Sequence, residues 1–153
     1  YEANGGFLLG FAAQGPAGEI APLMTRDCLL PIVAPLAMAR AKGVSLAELV
    51  SDLPPRFTAA DRIAGIPTEA SNAFITHLTG DASARMAFFA DRAAETGLDL
   101  TDGLRVSFGD GSVIHLRPSG NAPEFRCYAE AESVERAEML MRETLAQVAN
   151  RLG

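Results

Sequence analysis

The sequence is poor in cysteine, in long apolar runs and in positive charge, and each shortage removes a class of function. Two cysteines occur in 153 residues, Cys28 and Cys127. They form no CxxC pair and have no histidine nearby, which argues against a metal site. Two buried free thiols in a reducing compartment are expected instead. The run from Cys28 to Ala39 is apolar, but Pro31 and Pro35 interrupt it and Arg40 and Lys42 close it. It is too short to span a bilayer, and no signal-peptide pattern is present, so the expected compartment is cytoplasmic. Thirteen Lys and Arg stand against nineteen Asp and Glu, a net charge of −6. A general nucleic-acid binder would show a basic face, which this balance excludes. A local phosphate pocket needs only a few placed arginines and stays open. The sequence contains no nucleophile elbow, HExxH, P-loop or EF-hand pattern and no internal repeat.

What is present is organised around Pro54-Pro55, a pair that no helix crosses. Before it, Phe7–Phe11 reads as a short buried strand, and Gln14–Glu19 carries the turn residues Gly15, Pro16 and Gly18. Thr25 or Asp27 caps a helix to about Lys42, kinked by Pro31 and Pro35 or beginning at Pro31, and Gly43 stops it. Ser45 and Glu48 have capping-box spacing. After the proline pair, Arg56–Ile63 reads as a strand and Thr68–Leu78 as a helix. Asp81 caps another helix, with Met86, Phe89, Ala90 and Ala93 on one face. Leu104, Val106 and Phe108 alternate with polar residues, Asp110-Gly111 marks a hairpin turn, and Ser112–Leu116 returns. Phe125–Ala131 alternates again. Ser133 caps a last helix whose apolar face carries Val134, Ala137, Leu140, Met141, Leu145, Val148 and Leu152. Residues 54–153 therefore read as an α+β domain, an antiparallel sheet with helices on one face. Residues 1–53 read as the strand-and-helix end of an α/β layer.

Two segments carry chemistry. In the loop Arg117-Pro-Ser-Gly-Asn-Ala-Pro-Glu-Phe-Arg126, Arg117 and Arg126 supply guanidinium forks suited to phosphate. Ser119 and Asn121 add neutral donors, Gly120 admits a close backbone approach, and Pro118 and Pro123 stiffen the loop. The competing reading is a plain hairpin loop whose arginines pair with Glu124 or Glu130. In Tyr1-Glu-Ala-Asn-Gly-Gly6, Glu2 and Asn4 suit vicinal sugar hydroxyls, against the alternative of a solvated loop before a strand. His115 and His77 read as structural or surface residues, and Asp110 as a turn residue.

Taken in this order, YEANGG and RPSGNAPEFR resemble the α-D-phosphohexomutases. The first is similar to that family's sugar-specificity loop, G-E-x-S-G, and the second to its phosphate-binding loop, R-x-S-G/N-T-x-P. TRDCLLP, SLAELVSDLP, PRFTAADRI, DGLRVSF and DGSVIHLRPSG agree, and PPRFTAADRI with EANGGF leans to the phosphomannomutase branch. Two positions depart: Asn4 stands where Ser is usual, and Asn121-Ala122 where Asn/Gly-Thr-x is usual. The resemblance implies the end of a third, α/β domain at 1–53 and a fourth, TBP-like α+β domain at 54–153. It implies that Glu2 and Asn4 hold sugar hydroxyls, and that Arg117, Ser119, Gly120 and Asn121 hold a phosphate, to which Arg126 is added on its own chemistry. The implied partners are mannose 1- or 6-phosphate, or the glucose equivalents, and the missing N-terminal domains, with no nucleic acid or membrane. The family's phosphoserine segment, T-A-S-H-N-like, and its Mg²⁺ loop, D-G-D-x-D-R, do not occur in the chain. Mg²⁺ is thus expected in a full-length enzyme but not here, and no catalytic or metal-ligating residue is expected. The start at Tyr1, without Met, reads as that of a fragment, inactive alone. A standalone phospho-ligand module or a purely structural domain are the other readings.

Overall fold

The computed structural model describes residues 6–152. The chain divides into two compact units, Tyr1–Pro54 and Pro55–Gly153. Among the described residues, no helix is long and apolar enough to cross a membrane.

In the first unit, β1 (Phe7–Leu9) pairs antiparallel with β4 (Leu23–Asp27), and β2 (Ala13–Gly15) pairs antiparallel with β3 (Gly18–Ile20). The turn expected at 14–19 is thus the tip of a hairpin. Thr25 lies in β4 and not at a helix start. Asp27 does cap: its carboxylate accepts the N–H groups of Leu29 (2.9 Å) and Leu30 (3.1 Å). Helix α1 (Leu30–Lys42) then begins with Pro31 in its first turn, where a missing N–H costs nothing. Helix α2 (Leu46–Ser51) has the expected capping box. The Ser45 N–H donates to Glu48 Oε2 (2.7 Å), and Ser45 Oγ accepts the Glu48 N–H (3.2 Å). Cys28, expected buried, is exposed, because it sits in the bend between β4 and α1.

The second unit is a five-stranded antiparallel sheet in the order β5-β9-β8-β7-β6. Its strands are β5 (Phe57–Ala64), β6 (Glu95–Asp99), β7 (Leu104–Phe108), β8 (Val113–Pro118) and β9 (Glu124–Ala131). Alternation assigns the faces. Leu104, Val106, Ile114, Leu116, Phe125, Cys127 and Ala129 are buried on one face, and α3 (Thr68–Gly80) and α5 (Val134–Leu152) cover it. Helix α5 contributes Ala137, Leu140, Met141, Leu145 and Val148, the expected 3.6-residue stripe. Each fully buried Leu, Ile or Phe stabilises by about 1.5–3 kcal/mol. Four phenylalanines beside them meet edge-on: Phe74–Phe88 at 5.5 Å, Phe88–Phe89 at 4.7 Å and Phe89–Phe108 at 5.4 Å.

Two expectations fail here, and one strand carried no expectation. Val134 is exposed, because it occupies the first position of α5, ahead of the turns that contact the sheet. Helix α4 (Ala82–Phe88) is capped by Asp81 as expected, but it ends after two turns. The chain buries Arg85, Phe88 and Phe89 and leaves Met86 and Ala90 exposed. Strand β6 had no alternating signature. It is an edge strand containing Gly97, and its pairing with β7 slips between Glu95 and Gly97. Arg85 ties it to the helices: Nε and Nη2 bind Glu95 at 2.8 and 3.2 Å, and Nη1 binds the Leu78 carbonyl at 2.9 Å.

Candidate anion site on the open face of the sheet

The face of the sheet opposite α3 and α5 is polar, and its register creates the site. Arg62 of β5 pairs with Arg126 of β9, and Arg126 pairs with Arg117 of β8. Three arginines therefore stand in one row across three strands, about 4.8 Å apart at the backbone. Like charges directly opposite one another destabilise a sheet, so such a row needs anions.

The chain supplies two. Glu124, the first residue of β9, receives Arg62 Nε at 3.1 Å on one oxygen and Arg126 Nη2 at 3.3 Å on the other. The bond to Glu124 is the main reason the Arg126 guanidinium is held above its ordinary pKa. Asp102, in the turn between β6 and β7, receives Arg117 Nη1. Gly103 makes that contact geometrically accessible. Its φ is +88°, and a Cβ there would lie 2.4 Å from the Leu116 carbonyl oxygen and 2.9 Å from the Arg117 Cβ. Asp102 is held a second time through its backbone carbonyl, which accepts the His115 Nε2–H. The His115 ring in turn stacks on Tyr128, with centroids 5.5 Å apart and planes inclined by 28°.

One buried donor in the row is left over. Arg117 Nε has no hydrogen-bond partner among the described residues. A buried N–H of a charged group without an acceptor costs about 1–3 kcal/mol or more, and native structures keep few of them.

Beyond Arg117 the chain turns at 119–123. Ser119 is buried, and its N–H closes the loop on the Glu124 carbonyl at 2.9 Å. The Gly65 N–H anchors the other side of the tip on the Pro123 carbonyl at 2.8 Å. Gly120 and Asn121 are exposed at the tip. No described atom lies within 4 Å of where a Gly120 side chain would start, and its backbone is not left-handed. Nothing among the described residues demands glycine there, and they leave the space before it open to a ligand.

Arg117 and Arg126 are thus cross-strand neighbours, with Ser119, Gly120 and Asn121 in the turn that joins their strands. Arg126 also makes the Glu124 pair of the plain-loop alternative, whereas Arg117 pairs with Asp102 and not with Glu124 or Glu130. Sequence reasoning named neither Asp102 nor Arg62. Asp102-Gly103 ahead of a strand is a turn signal that marked the first, and the second needed the strand register. Glu2 and Asn4 lie outside the described residues. Among the described residues, no three His, Cys, Asp or Glu side chains are grouped so as to hold a metal ion.

Residues 76–147 match the phosphoglucomutase/phosphomannomutase C-terminal domain family. The whole chain aligns with a phosphomannomutase of Salmonella muenchen at 38% identity over 154 residues, covering 32% of that protein. Residues 76–147, most of the second unit, belong to the phosphoglucomutase/phosphomannomutase C-terminal domain family. A phosphomannomutase of Sinorhizobium fredii is also 38% identical, over 95% of the chain and 31% of its own length. A phosphoglucomutase/phosphomannomutase of Thermococcus kodakarensis is 32% identical over 97 residues, 62% of the chain and 18% of its own length. The chain spans about a third of the length of the two phosphomannomutases it matches. The second unit, a five-stranded antiparallel sheet flanked by helices, is an α+β fold, and of the arginine row Arg117 and Arg126 lie within the matched residues while Arg62 precedes them.

Proposed function

We propose that the Arg117–Arg126 segment grips the phosphate of a hexose phosphate. It does so as the substrate-recognition part of a phosphomannomutase-type enzyme that interconverts hexose 1-phosphate and hexose 6-phosphate. Mannose phosphates are the proposed substrates and glucose phosphates the alternative. The observation that carries this reading is the buried, unpartnered Arg117 Nε beside the Ser119–Asn121 turn. A phosphate oxygen is the acceptor it lacks. The two 38%-identical phosphomannomutases support the same reaction class.

The chemistry is that of a fixed clamp. Arg117 and Arg126 meet the phosphate with charge, Ser119 and Asn121 with neutral donors, and Gly120 leaves the backbone open to approach. Glu2 and Asn4 hold sugar hydroxyls. Such a clamp accepts either phosphorylated end of the hexose, so the substrate can turn over between half-reactions while the clamp stays in place. The Mg²⁺ implied by the family finds no ligand set among the described residues.

Titration of the chain with mannose 1-phosphate and glucose 1-phosphate, followed by backbone amide spectra, tests the reading. Shifts concentrated at 117–126 are expected. A spectrum unchanged at that loop at saturating ligand would leave a structural domain as the better description.

A further inference from the structure

We infer that Arg62, outside the loop, is the third guanidinium of this anion site, and that the Glu124 carboxylate holds the place a ligand oxygen takes between Arg62 and Arg126. The inference rests on the phosphate reading of the loop and extends it to a strand that the motif does not include.

Register puts Arg62 there. Arg62 and Arg126 are direct cross-strand partners, as are Arg126 and Arg117. The site is therefore continuous across β5, β9 and β8, and Arg62 stands at its end on the edge strand. The heads of Arg62 and Arg126 already converge on one anionic group: the two oxygens of Glu124 lie 3.1 and 3.3 Å from them. A carboxylate and one edge of a phosphate offer the same pair of oxygens to a guanidinium. Ala60, Asp61, Arg62, Arg126 and Tyr128 line a shallow hollow beside this bridge, with a volume of about 300 Å³. The small Ala60 and the flat Tyr128 keep that approach open. The Gly65–Pro123 bond fixes the end of β5 to the loop tip, so Arg62 and the loop keep one geometry.

Exposure separates the roles. The Arg62 side chain is 61% exposed, against 29% for Arg117 and 32% for Arg126. Arg117 and Arg126 are half-sunk and pre-positioned. Arg62 is the solvent-facing member and meets a bound anion from the edge of the sheet.

The test is titration with inorganic phosphate, read from amide shifts in the wild-type chain and in Arg62→Ala, Arg62→Lys, Arg117→Ala and Arg142→Ala. Arg142 is an exposed arginine of α5 and controls for loss of one positive charge anywhere on the chain. Arg62→Ala should weaken phosphate about three- to tenfold, the range for one solvent-facing charged hydrogen bond. Arg62→Lys should recover part of it, and Arg142→Ala should match wild type. If Arg117→Ala weakens binding but Arg62→Ala behaves like Arg142→Ala, Arg62 has no part and the loop reading stands. If wild type does not bind phosphate at 117–126, or Arg117→Ala leaves binding unchanged, the loop reading fails and this inference falls with it.

Discussion

Replacing Gly103 by alanine should damage both the sheet and the anion site, and the size of the effect follows from two separable terms. The first is conformational: an L-residue held at positive φ costs about 1–2 kcal/mol. The second is steric. The new methyl would sit 2.4 Å from the Leu116 carbonyl oxygen and 2.9 Å from the Arg117 Cβ, against backbone that cannot swing away. The strands must part next to the Leu104–Leu116 pair, which sacrifices about one ladder hydrogen bond, a further 0.5–1.5 kcal/mol or so. Gly111 isolates the first term. Its φ is +81°, and no described atom lies within 4 Å of a Cβ there. Gly111→Ala should therefore cost about 1–2 kcal/mol and Gly103→Ala about 1.5–3.5 kcal/mol. For a unit of this size each kcal/mol moves Tm by about 4–8 °C. Thermal unfolding of the two variants side by side is the assay. Equal melting temperatures would refute the steric argument, and with it the claim that Gly103 sets how closely Asp102 approaches Arg117.

Other outcomes follow from the same coordinates. Glu95→Ala leaves the Arg85 guanidinium, whose side chain is only 8% exposed, with the Leu78 carbonyl as its remaining partner. Breaking a fully buried pair costs about 3–5 kcal/mol, and partial exposure of Glu95 lowers that to about 2–3 kcal/mol in urea unfolding. A change below about 0.5 kcal/mol would show that β6 does not depend on this pair. Asp110 is held below the usual carboxylate range, first by the Ser112 hydroxyl and also by the Ser112 N–H and Arg136, against the opposing effect of burial. A depressed folded-state pKa stabilises fully above the unfolded value near about 4 and is lost as pH falls through the folded one. Asp110→Asn should therefore flatten part of the acid-side loss of stability, and an acid limb identical to wild type would contradict that. Burial pushes the Cys127 thiol up to about 12. At pH near 8 a thiol reagent should label the exposed Cys28 alone in the native chain and both cysteines in denaturant. Native labelling of both would overturn the burial of Cys127.

Where the sequence was legible, one residue or one period determined the structure. The reciprocal bonds of Ser45 and Glu48, the turn at Asp110-Gly111 and the α5 stripe from Ala137 to Val148 all lie within a few residues of chain. What was missed depends on partners far away in sequence. Strand β6 is defined by its pairing with β7, because an edge strand with a slipped register shows no alternation of its own. Nothing near Arg85 in the chain marks it for burial, which depends on Glu95 coming round to meet it. Arg117 and Arg126 were visible in the loop motif, but Asp102 and Arg62 join them only through the ladders β7–β8 and β5–β9.

The central claim is that Arg117 grips phosphate, and the affinity of the Arg117→Ala chain for mannose 1-phosphate tests it most directly. The substitution also leaves Asp102 without its cation, but that side chain is 63% exposed and water replaces the contact, so the fold should survive. Loss of one charged hydrogen-bonding group should weaken binding by about 1.5–3 kcal/mol, roughly ten- to a hundredfold, with an unchanged circular dichroism spectrum. A folded Arg117→Ala chain that binds mannose 1-phosphate as tightly as wild type would contradict the account.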